Sequence, residues 1–176
     1  GRGPICRIAL HASGLRWTDV RVSDTQFAQA KARGLYTSGL PVLKLPSGKF
    51  VTQSAAIARF AAKHGGAGLY PADAAAALFV DELVDIAADA LAKTPGSANE
   101  AEKAVLRREY AAGSLRGYMD AFSQALAASG GPFVSGARLT IADLAVDGVV
   151  SMIASGDFDH IPPEYVNDWP QLVAAC

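Results

Sequence analysis

The chain has 176 residues, 51% of them hydrophobic, with a formal net charge of −1. That length allows one large domain or two small ones, and the many alanines favour packed helices over a sheet-rich fold. A charge near zero gives no argument for nucleic acid or an anionic membrane as partner. No apolar run approaches a membrane span and nothing reads as a signal peptide. Cys6 and Cys176, at opposite ends and without metal-ligand spacing, fit a reduced cytoplasmic protein.

Pro4 suits the first turn of a helix, Ile5, Ile8, Ala9 and Ala12 continue at helical spacing, and Gly14 stops it. Trp17 to Val22 alternates, with Val20 and Val22 on one face, as a half-buried strand does. Ser23 to Tyr36 is polar and weakly periodic, a loop with a short helix. Leu40 to Thr52 reads as a hairpin that opens on Pro41 and turns at Pro46-Ser47-Gly48. Ser54 to His64 then reads as a helix with Ile57, Phe60 and Ala61 inward, ended by Gly65-Gly66. After Gly68-Leu69-Tyr70-Pro71 the pattern changes to long helices. Ala72 to Lys93 carries Phe79, Leu83, Ile86 and Ala90 on its apolar stripe, and Glu100 to Ala128 forms a second long helix. Thr140-x-x-Asp143 is a capping-box-like pair that opens an apolar helix running to about Ala154. Pro162, Pro163 and Trp169-Pro170 punctuate an irregular end.

The chemistry concentrates at Leu40-Pro41 and Gln53-Ser54. Proline at a strand's first residue cannot donate to the ladder, so the backbone before it is free for another partner. The helix start a few residues on offers unsatisfied N–H groups and a partial positive charge, which suit a carboxylate. Together these make a place to hold a small peptide with an acidic end. Taken singly, Pro41 also reads as an ordinary strand-edge proline and Ser54 as a simple helix N-cap.

The run Gly39-Leu40-Pro41-Val42-Leu43 through Thr52-Gln53-Ser54-Ala55-Ala56-Ile57-Ala58-Arg59-Phe60 resembles the glutathione-binding core of cytosolic glutathione transferases. It looks most like the sigma class, which includes prostaglandin D synthases. The likeness extends to Gly1-Arg2 with Arg7, to Val80-Asp81 with Val84-Asp85, and to Phe133-Val134-Ser135-Gly136 through Leu139-Thr140-Ile141-Ala142-Asp143. It implies an α/β plus all-α fold: a thioredoxin-like glutathione-binding domain over 1–66, its first strand missing, then an all-helical domain over 73–176. It also implies a cytoplasmic homodimer in detoxification, with glutathione as co-substrate and a hydrophobic electrophile as second substrate. In the family a strand precedes Gly1 and further helix follows Cys176, so the sequence is expected to be clipped at both ends.

Residue by residue, the resemblance makes Pro41 the family's cis-proline, presenting the Leu40 backbone to the cysteinyl unit of glutathione, with Gly39 beside it. Gln53 and Ser54 would bind the γ-glutamyl carboxylate. Arg2, otherwise a solvated residue, would assist catalysis by holding the thiolate, since a nearby cation lowers a thiol pKa. Lys31 matches a lysine on the glycyl carboxylate. Phe27 stands where sigma members carry tryptophan, which removes an indole N–H donor. Asp81, Asp85 and Asp89 share one helix face at i, i+4 and i+8; they read as a water-facing stripe, or, by resemblance, Asp89 reaches the α-amino group of glutathione in the other subunit. Ala88 replaces an acid of the cluster that binds a divalent cation in some relatives, so no metal is expected. Cys6 is expected to be a structural cysteine. The catalytic tyrosine is expected shortly before Gly1. A non-catalytic module on the same scaffold, or a glutathione-dependent isomerase or peroxidase, would carry much the same pattern.

Overall fold

The computed structural model describes residues 2–36 and 38–176; Gly1, part of the resemblance at the first helix, lies outside them. The chain divides into two compact units, Gly1–Tyr70 and Pro71–Cys176.

Unit 1 is built from α1 (Gly3–Ala12), α2 (Asp24–Ala32), β1 (Val42–Lys44), β2 (Phe50–Thr52) and α3 (Ser54–His64). Pro4 sits in the first turn of α1, where its missing N–H costs nothing. β1 and β2 pair antiparallel with Leu43 opposite Val51, and Gly48 takes the positive φ of 87° that the tight turn needs. α1 packs on α3 through small side chains: Ala9, Ala58 and Ala61 are fully buried. Gly65, just past α3, lies so close to the Ser13 carbonyl that any side chain there would collide with it. The core of this unit is therefore a close helix pair supporting a hairpin.

One sequence expectation fails here. Residues 17–23 form no ladder, and the two strands of the described sheet pair with each other. Val20 is 71% exposed. Alternation specifies which side chains share a face, but a strand also needs a neighbour's N–H and C=O groups. Asp19 holds this extended segment to α1 by accepting from Arg7 Nε at 3.1 Å.

Unit 2 contains α4 (Ala74–Ala92), α5 (Glu100–Tyr110), a π-helical turn (Ala111–Leu115), α6 (Arg116–Ser129), α7 (Ile141–Ala154), a 3₁₀ segment (Pro163–Asp168) and α8 (Pro170–Ala175). The expected apolar stripe of α4 is rotated. Val80, Leu83, Val84, Ala87 and Ala90 are buried, whereas Phe79 is 37% exposed and Ile86 only half-buried. The all-apolar first turns of α4 gave several equally good stripes, and packing against α7 selected one. The helix expected over 100–128 is continuous in direction but widens at Ala111–Leu115, where the Ala111 carbonyl accepts from Tyr165 Oη at 2.6 Å. Gly130, at φ 66°, ends α6.

The Thr140–Asp143 pair forms a full capping box, as its spacing predicts. Asp143 also accepts from the Val134 backbone at 2.7 Å, tying the preceding loop to α7. Ile141, Ala142, Val149 and Ile153 of α7 are fully buried. No helix among the described residues is long and apolar enough to cross a membrane.

Candidate functional site

Every helix leaves its first N–H groups without intrahelical acceptors, and four of the eight α-helices among the described residues begin on a side chain that fills the need. α2, α4, α5 and α7 do so with Ser23, Asp73, Asn99 and Thr140. α1 and α3 begin without any side-chain cap, on Arg2 and Gln53. Both of these open helix starts border one cleft of about 210 Å³ in unit 1, lined by Arg2, Ser38, Gly39, Leu40, Pro41, Gln53 and Ser54. Arg2, the Ser54 hydroxyl and the uncapped start of α3 border it, a set suited to a carboxylate.

Three details shape the cleft. The Leu40–Pro41 peptide is cis, the isomer expected from the resemblance. Gln53 holds φ 79° and ψ 108°, a region in which a residue with a Cβ is strained by about 1–3 kcal/mol. Strain of this kind persists where surrounding structure imposes it, commonly at binding sites. Ser54 is the first residue of α3 rather than its N-cap, which corrects the simpler sequence reading; the residue before it takes that place and contributes no capping bond. At 8% exposure Ser54 sits in the cleft's floor.

Behind the floor, the Cys6 thiol donates to the Ser54 carbonyl at 3.5 Å. Cys6 is 5% exposed, and burial pushes its thiol up to about 12, only partly opposed by Arg7. A thiol so held stays protonated and is no nucleophile. Its role is structural, linking α1 to the start of α3.

The cleft thus gathers six of the residues singled out in the sequence: Arg2, Gly39, Leu40, Pro41, Gln53 and Ser54. Ser38 joins them unannounced, although a small hydroxyl residue directly before Gly39-Leu40 was a visible signal. Phe27 and Lys31 lie on α2, outside the lining. The Phe27 ring stacks on Tyr36 at 5.7 Å between centroids, and Lys31 is exposed. Asp89 belongs to unit 2, where its carboxylate pairs with Lys93 Nζ at 2.6 Å. The cation that offsets this acidic face is therefore supplied one turn along the same helix. Among the described residues no group of three or more His, Cys, Asp or Glu is placed to hold a metal ion.

Two of three comparisons with known proteins bear on this geometry. The family profile described as "Glutathione S-transferase, C-terminal domain" matches residues 85–176. No curated protein matches the sequence. Among solved structures the chain is similar to prostaglandin synthase D of Nilaparvata lugens, at 21% identity and a TM-score of 0.81, covering 99% of this chain and 85% of that one. It is also similar to monomeric Na-GST-3, a glutathione S-transferase of Necator americanus, at 24% identity and a TM-score of 0.75, covering 99% and 84%. A glutathione transferase homologue from sulfitobacter with bound glutathione aligns at 19% identity and a TM-score of 0.68, covering 97% and 84%. At such identities the structures establish the fold, a thioredoxin-like unit followed by an all-helical one. The profile spans more than half of the sequence, and the chain belongs to the glutathione S-transferase family.

Proposed function

We propose that the chain is a sigma-like glutathione transferase that joins the thiolate of glutathione to an apolar electrophile. The observation that carries this reading is the pair of uncapped helix starts, α1 and α3, opening on one cleft beside Arg2. In this reading the γ-glutamyl carboxylate accepts from the Ser54 hydroxyl and from N–H groups of the first turn of α3, with Gln53 directing the approach. The Leu40 backbone meets the cysteinyl unit, and Phe27 and Lys31 serve the glycyl end. Arg2 supports the thiolate by its charge, which lowers the thiol pKa. Positioning the sulfur and raising its thiolate fraction are both sources of rate.

The sigma-like assignment rests on the Thr52-to-Phe60 run and on the likeness to a prostaglandin synthase D structure. In a homodimer Asp89 would accept from the α-amino group of glutathione in the partner, exchanging its bond with Lys93 for that contact. The protein is expected to be cytoplasmic. Retention on immobilised glutathione, with elution by the free tripeptide, is the test. Gln53→Ala and Ser54→Ala should each remove a hydrogen bond to a charged group and raise the glutathione KM about tenfold. A protein that is folded yet passes through the resin would shift the reading to a non-catalytic module on this scaffold.

A further inference from the structure

The Cys6 thiol is buried behind the cleft, and the proposed chemistry makes no use of it. Cys6 lies on α1 about one helical turn beyond Arg2, which lines the cleft. Its Sγ donates to the carbonyl of Ser54, a second lining residue, at 3.5 Å and across 48 residues of sequence. Both partners are buried. One side chain therefore connects the two elements that open on the cleft.

Ser54 is the first residue of α3. In an α-helix its carbonyl accepts from the N–H of Ala58, and a carbonyl oxygen has a second lone pair, which the thiol takes. A peptide unit is planar, so a donor that fixes the Ser54 carbonyl also fixes the Ala55 N–H on the opposite side of the same unit. That N–H is one of the first-turn donors of α3. Ile57 is the first residue of α3 whose N–H finds a helical acceptor, the Gln53 carbonyl at 3.1 Å. Gln53 supplies no side-chain cap for the N–H groups before it. Burial holds the Cys6 thiol up to about 12, so it remains a donor at neutral pH.

We propose that Cys6 is a positioning residue of the cleft: its thiol grips the Ser54–Ala55 peptide from behind and so aims the Ala55 N–H at the carboxylate of the ligand. The inference rests on the reading that the γ-glutamyl carboxylate of glutathione sits at the start of α3. An apolar side chain at this position would pack α1 on α3 equally well, since Ala9, Ala58 and Ala61 already do so. It would leave the peptide without its second anchor. A hydrogen bond weakens as its angle departs from linear, so a loosened peptide loses ligand affinity more than it loses stability.

Two ligands separate positioning from packing in calorimetric titrations: glutathione, and γ-aminobutyryl-cysteinyl-glycine, which is glutathione without the γ-glutamyl carboxylate. Cys6→Val fills similar space without a donor. It should keep the circular dichroism spectrum, weaken glutathione binding about threefold, and leave the affinity for the analogue unchanged, because the lost interaction is part of a bond to a charged group. Cys6→Ala gives the same comparison where valine overpacks the site. Cys6→Ser restores a donor and should bind glutathione more tightly than Cys6→Ala. Equal losses for both ligands, or a loss for neither, would overturn the proposal and leave the glutathione site standing. So would equal glutathione binding by Cys6→Ser and Cys6→Ala. An unaltered protein that binds no glutathione, or binds both ligands equally, would overturn the placement of the carboxylate and this inference with it.

Discussion

The two units solve the same problem in opposite ways. In unit 2 the helices that start afresh after a loop of any length, α4, α5 and α7, open on Asp73, Asn99 and Thr140, and the freed donors are spent inside the protein. In unit 1 only α2 opens so, on Ser23, while α1 and α3 open without a side-chain cap on Arg2 and Gln53, both of which line the cleft. Residues 71–176 carry a net charge of −9 and residues 1–70 a net charge of +8. An unfilled helix start is unremarkable by itself. Two of them at one cleft, beside a guanidinium and a residue held at positive φ, mark where the fold keeps capacity for a ligand.

That contrast can be broken most forcefully in unit 2. Asp143 accepts from Val134 N, Thr140 N and Thr140 Oγ1 at 2.7–3.0 Å. Asp143→Ala strands these donors and should cost about 3 kcal/mol or more of stability, measured by urea denaturation. A loss below about 0.5 kcal/mol would show that the capping network does not hold this unit.

The reverse substitution sharpens the comparison. Gln53→Gly relieves the positive φ at the cleft while deleting a polar side chain proposed to orient the ligand. Stability should rise by up to about 1 kcal/mol, the relief being offset by glycine's greater freedom when unfolded. Glutathione affinity should fall about tenfold, as loss of a bond to a charged group predicts. A variant both less stable and undiminished in affinity would remove Gln53 from the site.

Alkaline pH probes the buried groups of both units together. Burial pushes Cys6 of unit 1 and Tyr110 and Tyr165 of unit 2 up to about 12, from ordinary values of 9.0 and 10.0. Between the ordinary and raised values the unfolded chain has released protons that the folded chain retains. Stability is then complete below about pH 9 and falls as pH rises toward 12. Thermal denaturation across that window should show the decline, and Cys6 should resist thiol reagents at pH 8 until the protein unfolds. A Tm constant from pH 8 to 11.5 would contradict the assignment.

The smallest effect concerns Lys93. If Asp89 receives the ammonium of glutathione in a dimer, Lys93→Gln should tighten binding about twofold, the scale of an exposed i,i+4 pair. Asp89→Ala should weaken binding and leave the sedimentation coefficient unchanged. No change in either variant would confine Asp89 to a surface ion pair.

Most of this architecture was legible in the residues. Helix boundaries marked by strong local chemistry, such as Pro4, Ser54 to His64 and Thr140 with Asp143, stand where the sequence puts them. What was not legible depended on partners distant in the chain. Trp17 to Val22 has a strand's alternation without a strand's neighbour, and the apolar side of α4 was settled by α7. The cleft was half readable. Pro41 and Gln53-Ser54 carry local signatures; Arg2 was singled out through the resemblance alone, and Ser38, although adjacent to Gly39-Leu40, was passed over. The charge division was present in the sequence throughout, hidden because opposite halves cancel.

The central claim, that the cleft of unit 1 receives glutathione, is tested most directly by titrating the tripeptide into isotope-labelled protein and following backbone amide resonances. The account predicts saturable shifts confined largely to Arg2, Ser38, Gly39, Leu40, Gln53, Ser54 and the first turn of α3, with Ser54→Ala weakening them about tenfold. Shifts restricted to residues 71–176, or none at millimolar ligand, would contradict it.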